Sequence, residues 1–333
     1  MNLMNDEKHF NTLSNYYKYK YGKKVFKIPL NGNFKCPHSG CIFCNGSGDF
    51  AGSKDKSLKE QFSDVKRMME EKWNDAYYIV YFQANTNTFA PVSELKEKYE
   101  EALSLSDKII GISIATRCDS ISDECLEYLK ELNKRTIVQI ELGLQTIHEK
   151  TSILINRGHT LKQFDDCIKR LKEANIKVVV HIINGLPYET SKMMIDTAKY
   201  VGKLGIDGIK IHMLYVMKNT KLEEMYNKEK FHILTRDEYV DIVVRQLEYL
   251  PTNMIIHRLT GDSDKELLIE PLWSLKKFVV LNEIDKLMRK ENIYQGDKIK
   301  EDYYLLIILF FYIFTLFISH YGKNRIIYYF FSI

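Results

Sequence analysis

The chain has 333 residues, 45% of them hydrophobic and 28% charged, an ordinary globular balance that leaves room for one large core or two smaller ones. A formal net charge of +4 is too small to argue for a nucleic-acid partner. Met1 to Phe10 is polar and lacks the apolar stretch of a signal peptide, so a reducing, cytoplasmic setting is expected, with cysteines as thiols or metal ligands rather than disulfides.

In chain order, the first candidate strand is "KVFKIPL" (24–30), and the loop "FKCPHSGCIFCNGSGDF" (34–50) follows it. This loop places Cys36, Cys41 and Cys44, half of the six cysteines, within nine residues. The C-x4-C-x2-C spacing suits iron–sulfur ligation, in which three thiolates on a four-iron cluster leave one iron open. It also suits a closed zinc site with His38 as fourth ligand, or a redox pair of Cys41 and Cys44. Spacing alone leaves all three open. Cys118, Cys125 and Cys167 read as isolated thiols.

A helix near 57–73 leads to a strand at 77–83 and the polar run Gln83 to Thr88. A helix at 91–105 precedes a strand at 109–115, which ends in Thr116, Arg117, Cys118 and Asp119. After a helix at 122–133, a strand at 136–142 carries Glu141, with Gln145 just beyond. The helix of 160–175 opens with a capping box, Thr160 with Gln163, and is followed by a strand at 177–183 ending at Asn184. A helix over 191–205 ends at Gly205, and the strand at 208–214 carries His212. A second capping box, Thr235 with Glu238, opens a helix over 235–250; a seventh strand at 253–259 and a helix near 271–290 complete the pattern. The strands look mostly continuous in apolarity, as if covered on both faces. Strand–helix alternation repeated about six times predicts parallel strands joined by right-handed crossovers, in either an open doubly wound sheet or a barrel. In both, function sits at the carboxyl ends of strands, where six consecutive ends here are polar. A structural zinc knuckle has no need of such a rim; a catalytic cluster with an open iron does.

The far end departs from this pattern. Tyr303 to Ser319, "YYLLIILFFYIFTLFIS", has no charge, but is slightly shorter than the roughly 20 residues that a spanning helix needs. A membrane tail anchor, a buried terminal helix and an extension foreign to the domain are the three readings.

The stretches "KIPLNGNFKCP", "GCIFCNGSGDFAG", "YFQANTNTFAP", "ISIATRCD", "ELGLQTIHEKTSILINRGHT", "HIINGLP", "GIKIHMLYVMKNTKLEEMY", "YVDIVVRQLEYLP", "IHRLTGD" and "PLWSLKKFVVLNEIDK" run in order from about Tyr21 to Gln295. Together they resemble the radical S-adenosylmethionine (SAM) superfamily, and within it the YhcC-like family related to the Elongator catalytic subunit. The loop is shorter than in the family, since only four residues separate Cys36 from Cys41.

The resemblance implies an α/β fold, a partial (β/α)6 TIM-like barrel with added C-terminal elements. The expected division is an N-terminal extension (1–20), the barrel core (21–215), its C-terminal extension (216–295) and the hydrophobic tail (296–333). It implies that Cys36, Cys41 and Cys44 hold a [4Fe-4S] cluster whose open iron binds SAM. An external electron donor would drive reductive cleavage to a 5′-deoxyadenosyl radical, which abstracts hydrogen from a substrate. By the same resemblance Phe43 lies by the adenine, and Gln83, Asn85 and Thr86 meet the methionine amino group. Thr116, Arg117, Glu141 and Gln145 serve the ribose and carboxylate, and Arg157 and Asn184 complete the pocket. The plain alternative for Glu141 and Arg157 is a structural ion pair. Asp49 and Lys27 read as a loop residue and a strand-edge residue. Kinship to Elongator brings in RNA as a candidate substrate, with the Tyr/Lys run at 16–21 as a place for bases to stack or simply an amphipathic edge. The alternative function is a zinc-stabilised RNA-binding module without SAM chemistry.

Overall fold

The computed structural model describes residues 2–37, 40–44, 52–73 and 75–299. In chain order its elements are α1 (Leu13–Tyr21), β1 (Lys24–Leu30), α2 (Leu58–Glu70), β2 (Ala76–Phe82), α3 (Val92–Leu103), β3 (Ile109–Thr116), α4 (Asp123–Asn133) and β4 (Ile137–Gln145). There follow α5 (Glu149–Leu154), α6 (Leu161–Glu173), β5 (Lys177–Asn184), α7 (Ser191–Gly202), β6 (Gly208–Met213), β7 (Val216–Met217), α8 (Lys221–Lys228), α9 (Arg236–Leu247), β8 (Ile255–Arg258), β9 (Leu268–Glu270) and α10 (Lys277–Glu291). Seven strands form one curled parallel sheet in the order β1-β2-β3-β4-β5-β6-β8, and β7 with β9 makes a small antiparallel ribbon. Sequential strand order with helical crossovers makes a half-barrel rather than a doubly wound sheet, the partial TIM-like barrel expected from the resemblance.

The strands alternate more strictly than their apolar look implied. Ile28 and Leu30, Tyr78, Val80 and Phe82, Ile112 and Ile114, Val138, Ile140 and Leu142, Val178, Val180 and Ile182, and Ile209 and Ile211 all join one core beneath the helices. The residues between them, Lys27, Tyr81, Ser113, Gln139, Glu141, His181, Lys210 and His212, take the opposite face by the period of two. That face is the barrel interior, and it is polar. The expectation of strands apolar on both sides is corrected here: one side is a hydrocarbon core and the other a charged axis.

The helices form where local chemistry specifies them. Both expected capping boxes are present, Thr160 with Gln163 and Thr235 with Glu238, and Ser57 with Glu60 adds a third. α7 stops at Gly202, three residues before Gly205, which has φ of 62°. The helix expected over 271–290 is a 3-10 turn at Leu272–Leu275 followed by α10. The Tyr/Lys run is α1, whose Tyr17 is buried with Val25 and Ile79. Among the described residues no helix is long and apolar enough to cross a membrane; the apolar run 303–319 lies outside them.

Candidate functional site

The cysteine loop leaves the carboxyl end of β1 and is fixed by backbone hydrogen bonds on both sides. Ile42 N–H donates to Ile155 O at 3.1 Å, and Leu222 N–H donates to Ile42 O at 2.9 Å. The Asn156 amide donates to Gly40 O at 2.7 Å. Ile42 and Phe43 pack against a separate apolar cluster of Ile155, Leu186, Leu214, Val216, Leu222 and Phe231. The short helices α5 and α8, which sequence patterning missed, are thus what hold the loop in place.

At the first thiol two expected residues converge. Asn85 takes a left-handed backbone, φ 63°, that Asn adopts more readily than most residues. Its amide donates to Phe34 O at 3.0 Å, while Thr86 Oγ donates to Cys36 Sγ at 3.2 Å. Burial pushes the Cys41 thiol up to about 11, and its neighbours Cys44 and Cys36 push the same way against an opposing effect of Arg117. A thiol held protonated by burial and by neighbouring sulfurs binds a cationic centre only on losing its proton, so metal binding at this loop would release protons. Among the described residues no three His, Cys, Asp or Glu side chains stand close enough together to form a metal-ligand set; the three thiols share one short loop without being gathered at one point. His38 and Asp49 lie outside the described residues.

From this loop a cavity of about 640 Å³ runs down the barrel interior. Phe43, Cys44, Gln83, Gln145 and Tyr215 line it at and beyond the strand ends, and His181, Lys210, His212 and Arg258 line it along β5, β6 and β8. Of the expected site residues, Phe43, Gln83 and Gln145 therefore face the cavity, and Asn85 and Thr86 face Cys36. The others are engaged by protein. The Thr116 and Thr88 hydroxyls pair at 2.6 Å. Arg117 forks onto Asp119 at 2.9 and 2.6 Å and donates to Arg157 O at 2.6 Å. Arg157, fully buried, donates to the carbonyls of His159, Leu144 and Thr146 at 3.0, 3.0 and 2.6 Å. The Asn184 and Gln246 amides exchange two hydrogen bonds of 2.8 Å.

Glu141 is the centre of the interior, where it is ion-paired with Lys27 and Lys210. Its Oε1 accepts from Lys27 at 2.5 Å, Ser113 at 2.6 Å and Gln139 at 3.0 Å. Its Oε2 faces Lys210 at 2.5 Å and His181 Nε2 at 2.7 Å, and accepts from Tyr81 at 2.9 Å. One carboxylate thus gathers partners from six of the seven barrel strands or their immediate neighbours, and Lys27, read from sequence as an edge residue, points inward. Burial alone raises the Glu141 pKa, but Lys210, Lys27 and His181 overcome it and hold the group well below the usual range. Burial, then Lys210, lowers His181 from 6.5 to about 4. Burial, partly countered by Glu141, lowers Lys210 to about 8. Sequence reading missed His181, Lys210, Tyr215 and Arg258. The available signal was a lone cation or imidazole breaking an apolar run at an alternate position.

A pH dependence follows. A group whose folded pKa is depressed contributes stability that is present above its unfolded value and is lost as pH falls through the folded one. For His181 that window runs from 6.5 down to about 4. Urea midpoints should therefore fall across it in the wild type and fall less in His181→Gln, the amide being an uncharged substitute. An equal slope in both would mean that His181 does not carry the effect.

Comparison with known proteins gives this geometry a family context. Residues 31–201 match the family model of the Radical SAM superfamily, and residues 206–290 match that of the Radical_SAM C-terminal domain. YtqA of Bacillus subtilis is 48% identical over 88% of this chain and 93% of its own length. YhcC of Escherichia coli is 30% identical over 82% of this chain and 90% of its own. The structure of archaeal Elp3 from Methanocaldococcus infernus superposes with a TM-score of 0.63 at 17% identity, covering 82% of this chain and 64% of that one, a likeness of fold.

Proposed function

The chain belongs to the radical SAM superfamily, and on that premise we propose that it binds a [4Fe-4S] cluster and SAM at the cysteine loop and acts on a substrate held in the barrel cavity. The observation that carries this reading is the continuity of the site: Cys44 and Phe43 line the same cavity as Lys210, His212 and Tyr215. When bound, the cluster and SAM supply, after one electron from an external donor, a 5′-deoxyadenosyl radical that takes a hydrogen atom from the substrate.

The chain's own residues do the rest. Cys36, Cys41 and Cys44 are the three ligands, and the Thr86 hydroxyl on Cys36 is a hydrogen bond of the kind that tunes a cluster's potential. Phe43 offers an aromatic wall for the adenine, and Gln83 and Gln145 offer amides to the polar groups of SAM. Arg117 and Arg157 do not line the cavity; their place is to stiffen the strand ends around it. Enclosure by the half-barrel limits water at the reacting centre. An RNA substrate would have to present one extruded nucleotide, because a cavity of about 640 Å³ admits a single base with its sugar but no duplex.

Anaerobic reconstitution with iron and sulfide should yield a brown protein that, given dithionite, converts SAM to 5′-deoxyadenosine and methionine. A reconstituted protein that carries the cluster yet leaves SAM intact under reduction would reject the proposal.

A further inference from the structure

We infer that the deep half of the cavity receives the anionic head, a carboxylate or a phosphate, of a small-molecule substrate, held by Lys210 and His212 beside Arg258. The inference rests on the enzymatic reading above and adds the chemical class of the substrate to it. Lys210 reaches Glu141 at 2.5 Å and donates to Tyr81 at 3.1 Å, which engages two of its three N–H groups at the cavity wall. His212 lines the same wall, and its Nε2 is buried with no partner among the described residues. A buried polar nitrogen left unpaired is costly, and in the tautomer that carries its proton on Nε2 this imidazole donates to a ligand oxygen.

The charge around these groups leaves an anion welcome. Lys27 and Lys210 share Glu141, while Arg258 and Lys277 share Asp262 at 3.0 and 2.9 Å. Asp264 also lines the cavity. Four cations thus face three carboxylates within a low-dielectric wall, which focuses a positive potential into the space between. The basic groups report that potential. Facing Lys210 are Lys27 on β1, Tyr81 on β2, Glu141 on β4, His181 on β5, His257 and Arg258 on β8, and His212 on its own strand. After burial, the largest cause, neighbouring cations help to depress Lys27, Lys210, His181, His212 and His257. An anion docked on Lys210 reverses that depression, so its binding should draw a proton from solvent. The size of the cavity, which must also admit SAM, suits a metabolite-sized molecule.

The test is calorimetric titration of the full-length protein, without turnover, at pH 8.5 in two buffers of different ionisation enthalpy. Sulfate stands for a phosphate group and succinate for a carboxylate, and neither takes up a proton near this pH. At least one should bind with net proton uptake, and the tighter of the two assigns the head group. Lys210→Met and His212→Ala should each weaken that binding by about tenfold or more, while Lys192→Met, on an exposed helix face, should bind as wild type does. Binding without proton uptake, or equal affinity in wild type and His212→Ala, overturns the inference even if Lys210→Met fails to fold. SAM cleavage measured on the same preparations separates this outcome from failure of the enzymatic reading, since an anion site that fails beside intact cleavage removes only the substrate class.

Discussion

Cys41→Ala is expected to abolish SAM cleavage, with a loss well beyond the 10–100-fold that removal of a supporting contact already causes. Cys41 sits between the other two thiols, and its loop is fixed from outside by bonds to Ile155, Asn156 and Leu222 that do not involve its sulfur. Alanine should therefore leave the fold intact while removing one of three anchors. Cys125→Ala is the control. It removes a buried thiol on α4 that faces the helix layer and should cost on the order of 1 kcal/mol of packing without affecting cleavage. Iron and sulfide content, circular dichroism and 5′-deoxyadenosine formation on both variants decide the matter. Cleavage retained in Cys41→Ala would move the chemistry away from the loop.

The second large effect concerns the barrel axis. Glu141→Ala strips the shared carboxylate from Lys27 and Lys210, whose side chains are only 13% and 10% exposed. Removing one partner of a buried pair costs about 3–5 kcal/mol, because the remaining charge is stranded. Urea unfolding should show a loss of that size, with the m-value unchanged. Glu141→Leu combined with Lys27→Met and Lys210→Met should recover part of it, since no charge is then stranded, while Tyr81, Ser113, Gln139 and His181 still lose their shared partner. A loss under about 1 kcal/mol in Glu141→Ala would mean that water reaches the lysines and that the interior is wetter than the geometry describes.

These two sites were not equally legible in the sequence. The cysteine loop declares itself because its thiols are local, nine residues from first to last. The strands declare themselves by apolar runs, and β1 falls on the expected residues. The capping boxes of α6 and α9 are local signals of the same kind. The Glu141 network has no local signal. Lys27 and Lys210 lie 183 positions apart in the chain and meet only because parallel strands in sequential order bring both onto one axis. Within each strand the single cation looked like an interruption of an apolar run, which hid the period of two. α5 and α8, six and eight residues long, are too short for a helical stripe to stand out, yet they fix the cysteine loop. Roles assigned by resemblance to Thr116, Arg157 and Asn184 met residues bonded to other protein groups, a fact that depends on Thr88, Leu144 and Gln246 and thus on tertiary pairing.

Electron paramagnetic resonance of the reduced, oxygen-free protein, recorded with and without SAM, tests the central claim most directly. A four-iron cluster held by three thiolates should give a reduced-cluster signal that changes when SAM occupies the open iron. A signal indifferent to SAM, or a colourless protein with one tightly held zinc and no sulfide, would contradict it.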